Sequence, residues 1–166
     1  LDNDTYKPGE TVTGHVTLRR FRKPRTTLPV KFELPEDLPE GKYTLSASNW
    51  SAALSAARSE QPHKFAARTP ADLLAGIQRT VGPQADVLYV RLPLPKGGGL
   101  ALDKKELPDL PPSKAAVISQ ARLLDTRTFR RALVREIKTG YVLTGSARAG
   151  FEVTRHRRET PVSSSP

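Results

Sequence analysis

The first fifty residues alternate between apolar and polar positions, which is the pattern of β-strands with one buried face. In YKPGETVTGHVTLRRF, a Pro-Gly turn precedes a run whose apolar face carries Val12, Val16 and Leu18. A second alternation follows in LPVKFEL, and Tyr43 and Leu45 begin a third. Three strands joined by tight turns predict an antiparallel sheet that forms one face of a β-sandwich.

The segment TPADLLAGIQRTVG predicts a helix over residues 70–81. Thr69 is a natural N-cap, Pro70 suits the first helical position, and Asp72 lies in the positive first turn. Gly82 and Pro83 end the helix. Its large apolar positions form one stripe, which consists of Leu73, Leu74, Ile77 and Val81.

The other segments are shorter. NWSAALSAARSEQPHKF is either a short helix or an exposed connection, ADVLYVRLPLP predicts a strand, and KGGGLAL predicts a turn into a short strand. ELPDLPPSKAAVISQ begins as stiff, extended chain and continues as a short helix. We interpret it as an internal strap that buries Leu107 and Leu110, with a polyproline ligand as the alternative. The alternation around Lys138-Thr139-Gly140 predicts a β-hairpin.

Together these patterns predict a mainly β or α+β protein. An antiparallel β-sandwich-like N-terminal sheet precedes a C-terminal α+β portion with one or two helices. The predicted boundaries are 1–49 for the sheet, 50–64 for a connection, 65–154 for the α+β portion and 155–166 for a disordered basic, Ser- and Pro-containing tail. Whether the two portions form one domain or two is left open.

Composition supports short elements and narrows the chemistry. The 166 residues include 15 prolines and 11 glycines. Together these make about 16% of the chain, more than the ordinary combined share of about 12%. The absence of cysteine excludes disulfides and thiolate metal sites. No run reaches the roughly 18 apolar residues of a membrane span. The chain starts at Leu1 without an initiating methionine, and we therefore expect a processed product or a piece of a longer protein.

The chain is basic, with 27 Lys and Arg against 17 Asp and Glu and a net charge of +10, so it should attract polyanions or acidic surfaces. The densest cluster is RRFRKPR. Its candidate polyanion or partner contacts are Arg19, Arg20, Phe21, Arg22, Lys23 and Arg25. One interpretation is a phosphate-binding loop in which Phe21 stacks on a base. The favoured alternative is a solvated loop whose charges protect a sheet edge from pairing.

No stretch carries the residues of a reaction centre. The histidines are His15, His63 and His156, which we interpret as solvated or strand-surface residues, and GSARAG lacks the spacing of a nucleophile elbow. Asp2-Asn3-Asp4 resembles the head of a calcium loop without its glycine and distal glutamate. KGGGLAL lacks the helix start of a phosphate loop. We therefore assign no catalytic, cofactor-binding or metal-binding residue.

The order of these segments resembles a known family. DNDTYKPGETVTGHVTLRRFRKPRTTLPVKFELPEDLPEGKYTLSAS, ADVLYVRLPLPKGGGLALDKKELPDLPPS and TGYVLTGSARAGFEV together resemble the region after the peptidase domain in large bacterial proteins related to SpoIVB-type serine peptidases, over residues 1–154. YKPGETV is also similar to the start of macroglobulin-type β-sandwich domains. Catalysis in that peptidase family rests on a serine triad in a separate domain, and no matching motif stands in this sequence.

The resemblance implies a non-catalytic accessory portion of an exported protein of the bacterial cell envelope, with an extracytoplasmic location. We therefore expect an accessory or protein-interaction module whose partners are other domains of the parent chain or another protein. The alternative is a nucleic-acid- or polyanion-binding module that uses the basic loop at residues 19–25. An enzyme ranks third, because no nucleophile, base and orienting acid are recognisable together.

Overall fold

A computed structural model describes residues 1–19, 22, 24–81, 85–103, 105–120 and 125–155, except for the side chain of Arg79. The fold is mainly β with α-helices, which is the class that the sequence predicts. The strands are β1 (Thr5–Tyr6), β2 (Thr11–Leu18), β3 (Thr26–Glu33), β4 (Gly41–Ser48), β5 (Val87–Pro93), β6 (Gly99–Leu102), β7 (Lys105–Pro108), β8 (Thr126–Phe129), β9 (Ala132–Lys138) and β10 (Ser146–Val153). The helices are α1 (Trp50–Glu60), α2 (Pro70–Val81) and α3 (Pro112–Gln120), with a 3-10 turn at Pro62–Phe65.

The chain forms two compact units. The first comprises Leu1–Thr44 together with the chain from Ala149, and the second comprises Leu45–Arg148. The domain boundaries at residues 49, 64 and 154 stay predictions. Of the predicted tail at 155–166, residues 156–166 lie outside the described residues.

In the first unit, β2 and β3 form an antiparallel hairpin whose faces follow the predicted alternation. The register runs from Thr11 opposite Glu33 to Leu18 opposite Thr26. Val12 lies opposite Phe32, and both side chains are buried. Thr11, His15 and Thr17 are exposed on the other face. Because side chains alternate along a strand, the same pattern fixes both the strand and its buried side.

Aromatic contacts dominate the rest of that unit. β1 pairs in parallel with β10, with Tyr6 opposite Val153. The Tyr6 ring meets the Phe151 ring edge to face, with ring centres 5.6 Å apart. The Tyr43 ring stacks on the same Phe151 ring, with ring centres 5.8 Å apart. The Tyr6 hydroxyl donates to the Thr13 carbonyl at 3.1 Å. The buried phenol therefore keeps a hydrogen-bond partner while its ring fills the core.

The third predicted strand exists, but its predicted pairing is wrong. β4 buries Tyr43 and Leu45 as the alternation requires. However, β2 and β3 form a sheet of two strands, whereas β4 pairs antiparallel with β5 through Ser46 opposite Arg91. Alternation determines which residues of a strand are buried, but it carries no information about a partner forty residues away.

In the second unit, β5 is the central strand between β4 and β9. Six consecutive residues from Val87 to Leu92 are buried, as expected of a strand covered on both faces. α1 packs over one face, where Ala53 contacts Val87 and Tyr89 and Trp50 packs alongside. The segment that was either a helix or a connection is thus a helix. Asn49 caps it by accepting the Ala52 N–H at 3.3 Å.

A small sheet with the order β7-β6-β8 completes the second unit. The turn into a short strand that KGGGLAL predicts is confirmed: Gly97 has a positive φ of 80° and β6 begins at Gly99. A Cβ at Gly99 would lie 2.1 Å from the Leu107 carbonyl oxygen, so a larger residue would push β6 and β7 apart. The proposed strap begins as β7, and Leu107 and Leu110 are half-buried.

The predicted hairpin around residues 138–140 is wrong. Both strands are present, but β9 pairs with β5 and β10 pairs with β1. The Thr139 N–H donates to the Asp86 carbonyl at 2.8 Å, and the Thr139 hydroxyl donates to the same oxygen at 2.6 Å. The turn residues therefore hold β9 on β5, and Gly140, with a φ of 68°, leads the chain away.

We expect Leu92→Ala to lower the free energy of unfolding by about 2–5 kcal/mol, because Leu92 is fully buried and its loss leaves a cavity. The exposed Val142 in the same unit is the control, and Val142→Ala should change stability by no more than about 0.5 kcal/mol. Urea unfolding measures both. Equal stability of Leu92→Ala and the parent would show that β5 is not the centre of this core.

Candidate functional site

Helix α2 is held at its start by its own sequence. The Thr69 hydroxyl accepts the Asp72 N–H at 3.2 Å, and the Asp72 carboxylate accepts the Thr69 N–H at 3.1 Å. This reciprocal pair is a capping box, which satisfies backbone donors that the first helical turn leaves unpaired. The predicted helix over 70–81 is confirmed, with Thr69 as its N-cap.

The apolar stripe of α2 faces water. Leu73, Leu74, Ile77 and Val81 are 56%, 61%, 48% and 75% exposed. An amphipathic helix in a globular protein ordinarily turns such a stripe towards the core. Single exposed apolar residues are common, but four on one helix form a contiguous patch of the kind that marks an interaction surface.

A cleft of about 310 Å³ runs beside this stripe. We call it the α2 groove, and its main lining residues are Arg58, Phe65, Ala67, Leu73, Ile77 and Val81. The Arg58 guanidinium lies 5.5 Å from the centre of the Phe65 ring and donates to the Thr80 hydroxyl at 3.3 Å. Within the described part of the chain, no carboxylate pairs with Arg58. The groove thus combines apolar walls with the Arg58 cation, and it also includes Asp72, whose carboxylate accepts the Thr69 N–H of the helix cap.

A polar network around Glu106 anchors the 3-10 turn that contributes Phe65 to this groove. Glu106 on β7 receives three cationic or imidazole contacts, from Lys64 Nζ at 3.1 Å, His63 Nε2 at 3.0 Å and Arg131 at 3.3 Å. The hydrogen bond from Lys64 is the main cause that lowers the Glu106 pKa to about 2, and burial opposes it. Because the 3-10 turn carries His63 and Lys64, this carboxylate fastens the chain after α1 to β7 and to the start of β9.

The structure corrects the interpretation of His63 as a solvated residue. His63 is only 2% exposed, its ring packs 5.3 Å from the Phe129 ring, and its Nδ1 has no hydrogen-bond partner among the described residues. No periodic pattern surrounds it, since it follows Pro62 in a polar connection. His15 is exposed on β2, with its Nδ1 3.3 Å from Asp2, and His156 lies outside the described residues.

A second buried pair lies under α1. Arg91 on β5 pairs with Glu60 and also donates to the Ala53 carbonyl at 3.2 Å. Its Nε has no partner in the described part of the chain. An arginine can occupy a core position only with such partners, because an unpaired buried charge costs several kcal/mol. The sequence pattern of β5 alone does not show that this arginine is buried.

The basic cluster lies on the connection between β2 and β3. Arg19, Arg22 and Arg25 are exposed there, and Arg22 has a positive φ of 53°. Arg20, Phe21 and Lys23 lie outside the described residues. The described arginines of the cluster therefore lie exposed at the end of a hairpin, which suits both a polyanion contact and protection of the hairpin edge.

The motifs that resembled ion sites have local partners. Asp2 contacts His15, and the Gly97 N–H donates to the Asp109 carboxylate at 2.9 Å. Across the described ranges, no group of three or more His, Asp or Glu side chains is placed to hold a metal ion. In the same ranges, no helix is long and apolar enough to cross a membrane.

Comparison with protein-family models, curated proteins and solved structures found no match for this chain.

We expect the contribution of Glu106 to stability to depend on pH. Its pKa is about 2 in the folded protein against an ordinary 4.5, so the contribution is complete above about pH 4.5 and is lost as the pH falls towards 2. Glu106→Gln should lower the free energy of unfolding by about 1.5–3 kcal/mol at pH 7. This difference from the parent should shrink as the pH falls through that window.

Urea unfolding at a series of pH values measures the effect. Glu152→Gln serves as the control, because Glu152 is exposed and has no cationic partner among the described residues. A difference between the parent and Glu106→Gln that stays constant from pH 7 to pH 2 would contradict the assignment of Glu106 as an ionised hub.

Proposed function

We propose that this chain is a non-catalytic protein-interaction module of a larger exported bacterial protein related to the SpoIVB-type serine peptidases. The resemblance of its segments to the region after the peptidase domain supports the family relation. One observation carries the interaction: the capped helix α2 exposes its apolar stripe beside a preformed groove. A partner that covers exposed apolar surface of this kind removes it from water, which favours formation of the complex.

The occupant that fits the α2 groove is an amphipathic helix. The stripe from Leu73 to Val81 spans about 12 Å, or roughly two helical turns. A partner helix with apolar residues at i, i+3 or i+4, and i+7 places one face against that length. Arg58 lies at the groove without a carboxylate partner in the described ranges, and a glutamate or aspartate beside the apolar face of the partner would pair with it.

A membrane surface is the less suitable occupant. Helices that lie in the lipid interface carry several Lys or Arg residues on their polar face. The polar positions of α2 are Asp72, Gln78, Arg79 and Thr80, which include one cation and one anion. The helix itself therefore lacks the charge that holds an interfacial helix on anionic lipid, and a protein helix remains the proposed partner.

We expect the parent protein to bind an amphipathic probe peptide of about 15 residues, crosslinked to be helical, that carries a leucine stripe and one glutamate. Leu73→Ser with Ile77→Ser should weaken binding about tenfold or more. Burial of each of these side chains contributes about 1.5–3 kcal/mol. Fluorescence anisotropy gives the dissociation constant, and circular dichroism checks that the fold is retained.

Val117→Ser is the control, because Val117 is also an exposed apolar residue on a helix, α3, and lies outside the groove. Arg58→Ala should reduce the preference for the glutamate peptide over a glutamine version. Equal binding to the parent and to the Leu73 and Ile77 variant would remove the α2 groove as the interaction surface. Binding of the parent to anionic vesicles, lost in the same variant, would instead assign the stripe to a membrane.

The second candidate function is polyanion binding by the basic loop, and the exposure of Arg19, Arg22 and Arg25 beyond the β2–β3 hairpin favours it. Charged contacts alone bind weakly and are lost as salt rises, because their affinity comes from counterion release. A nucleic-acid site would add stacking by Phe21, worth about 1–3 kcal/mol and less sensitive to salt. The two cases differ in how binding depends on salt and on Phe21.

We expect weak binding of a single-stranded oligonucleotide that falls steeply with salt and is insensitive to Phe21→Ala. Replacing Arg19, Arg22 and Arg25 with alanine should reduce the salt dependence. The control replaces Lys31, Lys42 and Arg148, which are exposed and carry the same total charge. Tight binding at physiological salt that drops about tenfold in Phe21→Ala would favour the nucleic-acid module over the interaction module.

A further inference from the structure

The outer edge of β9 is open. β9 is the last strand of its sheet, and within the described ranges it pairs with β5 alone. An edge strand presents unpaired N–H and C=O groups, which a strand from another chain can use. The β9 edge belongs wholly to the second unit and does not include the residues of the α2 groove.

The hydrogen bonds at the two ends of β9 show which backbone groups point outward. The Leu94 N–H donates to the Arg131 carbonyl at 2.8 Å, and the Thr139 N–H donates to the Asp86 carbonyl at 2.8 Å. Antiparallel pairs alternate between bonded and non-bonded positions. Odd-numbered residues such as Arg135 therefore direct their backbone groups towards β5. Even-numbered residues, Val134 and Glu136 among them, direct theirs outward.

A cleft of about 210 Å³ lies beside this edge. We call it the β9 cleft, and its main lining residues are Trp50, Ala57, Tyr89, Arg91, Val134 and Glu136. Val134 lies opposite Arg91 and Glu136 lies opposite Tyr89, so these four side chains share the face that α1 covers. α1 packs on β5, which leaves Val134 51% exposed at the margin. The outward backbone groups and the cleft therefore belong to the same residues of β9.

The charged residues that line the β9 cleft differ in whether they already have an ion-pair partner. Arg91 is engaged by Glu60 and by the Ala53 carbonyl. Glu136 has no cationic partner among the described residues, although it lines the cleft. A ligand therefore meets an apolar pocket at Val134 and Trp50 and, two residues along the strand, a carboxylate.

We infer that β9 binds an extended peptide that adds to the sheet as a further strand. On the α1 side, the peptide places an apolar side chain opposite Val134, where it enters the β9 cleft against Trp50. A Lys or Arg two positions away lies opposite Glu136, because residues i and i+2 share one face of a strand. Backbone hydrogen bonds supply affinity, and these two side chains supply specificity.

A second copy of the chain is the less suitable strand. Each copy carries a net charge of +10, and this charge opposes self-association. A short peptide with a single basic residue matches the local carboxylate without bringing that charge. The inference goes beyond the proposed function, because it assigns a separate site that recognises extended chain instead of a helix.

The test uses a Val- and Thr-rich probe peptide of about eight residues that carries leucine and lysine two positions apart. One control peptide places the leucine and lysine on adjacent positions, and therefore on opposite faces. Two others carry N-methyl groups on one or the other set of alternate amides. Fluorescence anisotropy measures affinity, and amide hydrogen exchange reports on Val134 and Glu136 in the full chain.

We expect the first peptide to bind and to protect the amides of Val134 and Glu136. Only one of the two N-methylation patterns should abolish binding, with a loss of about tenfold or more, because only one set of amides faces β9. Glu136→Lys should weaken binding about fivefold and restore it for a peptide with glutamate in place of lysine. Arg135→Ala, on the same strand but with its side chain on the other face, should leave the affinity unchanged.

Equal sensitivity to both methylation patterns, or equal affinity for the adjacent-position peptide, would overturn the inference. So would sedimentation showing a dimer whose amides at Val134 and Glu136 are already protected. The Leu73→Ser and Ile77→Ser variant should bind this peptide as the parent does. Loss of binding there would place the peptide in the α2 groove and also overturn the inference.

Discussion

In the second unit, the carboxylate of Glu106 joins three segments of the chain. Glu106 binds Lys64 and His63 from the 3-10 turn and Arg131 from the chain that enters β9. Nearby, the Glu60 carbonyl accepts the Arg130 N–H at 2.8 Å, and the side-chain amide of Gln61 donates to the Arg130 carbonyl at 3.4 Å. The end of α1 and the turn after it are therefore held against the start of β9 by charge-assisted and backbone hydrogen bonds.

Helix α1 lines both of the grooves described above. α1 contributes Arg58 to the α2 groove and Trp50 and Ala57 to the β9 cleft. The 3-10 turn contributes Phe65 to the α2 groove. The Arg91–Glu60 pair and the packing of Ala53 on β5 hold α1 itself, and Glu106 holds the 3-10 turn after it, so both grooves are formed without a partner. A preformed groove costs less ordering on binding than one that a partner must open.

Local patterns predicted the elements of this protein well where the signal is local. The capping residues of α2, the alternation of β2 and β3 and the apolar run of β5 are readable from neighbouring residues. The candidate surfaces were harder to predict. The apolar stripe of α2 was recognised, but its exposure was not, because periodicity shows that a helix has an apolar face and not whether the fold covers it.

The sequence by itself determined the mainly β character of the protein, the extent of helix α2 and the buried faces of the strands. Propensity, capping and alternation act over a few residues, so they can be read locally. Only the tertiary structure decided that β4 pairs with β5, that β9 leaves the predicted hairpin, and that His63 and Arg91 are buried. Strand partners and the partners of buried polar groups lie tens of residues apart. Their choice depends on which surfaces the whole chain can bury together while its polar groups stay hydrogen-bonded.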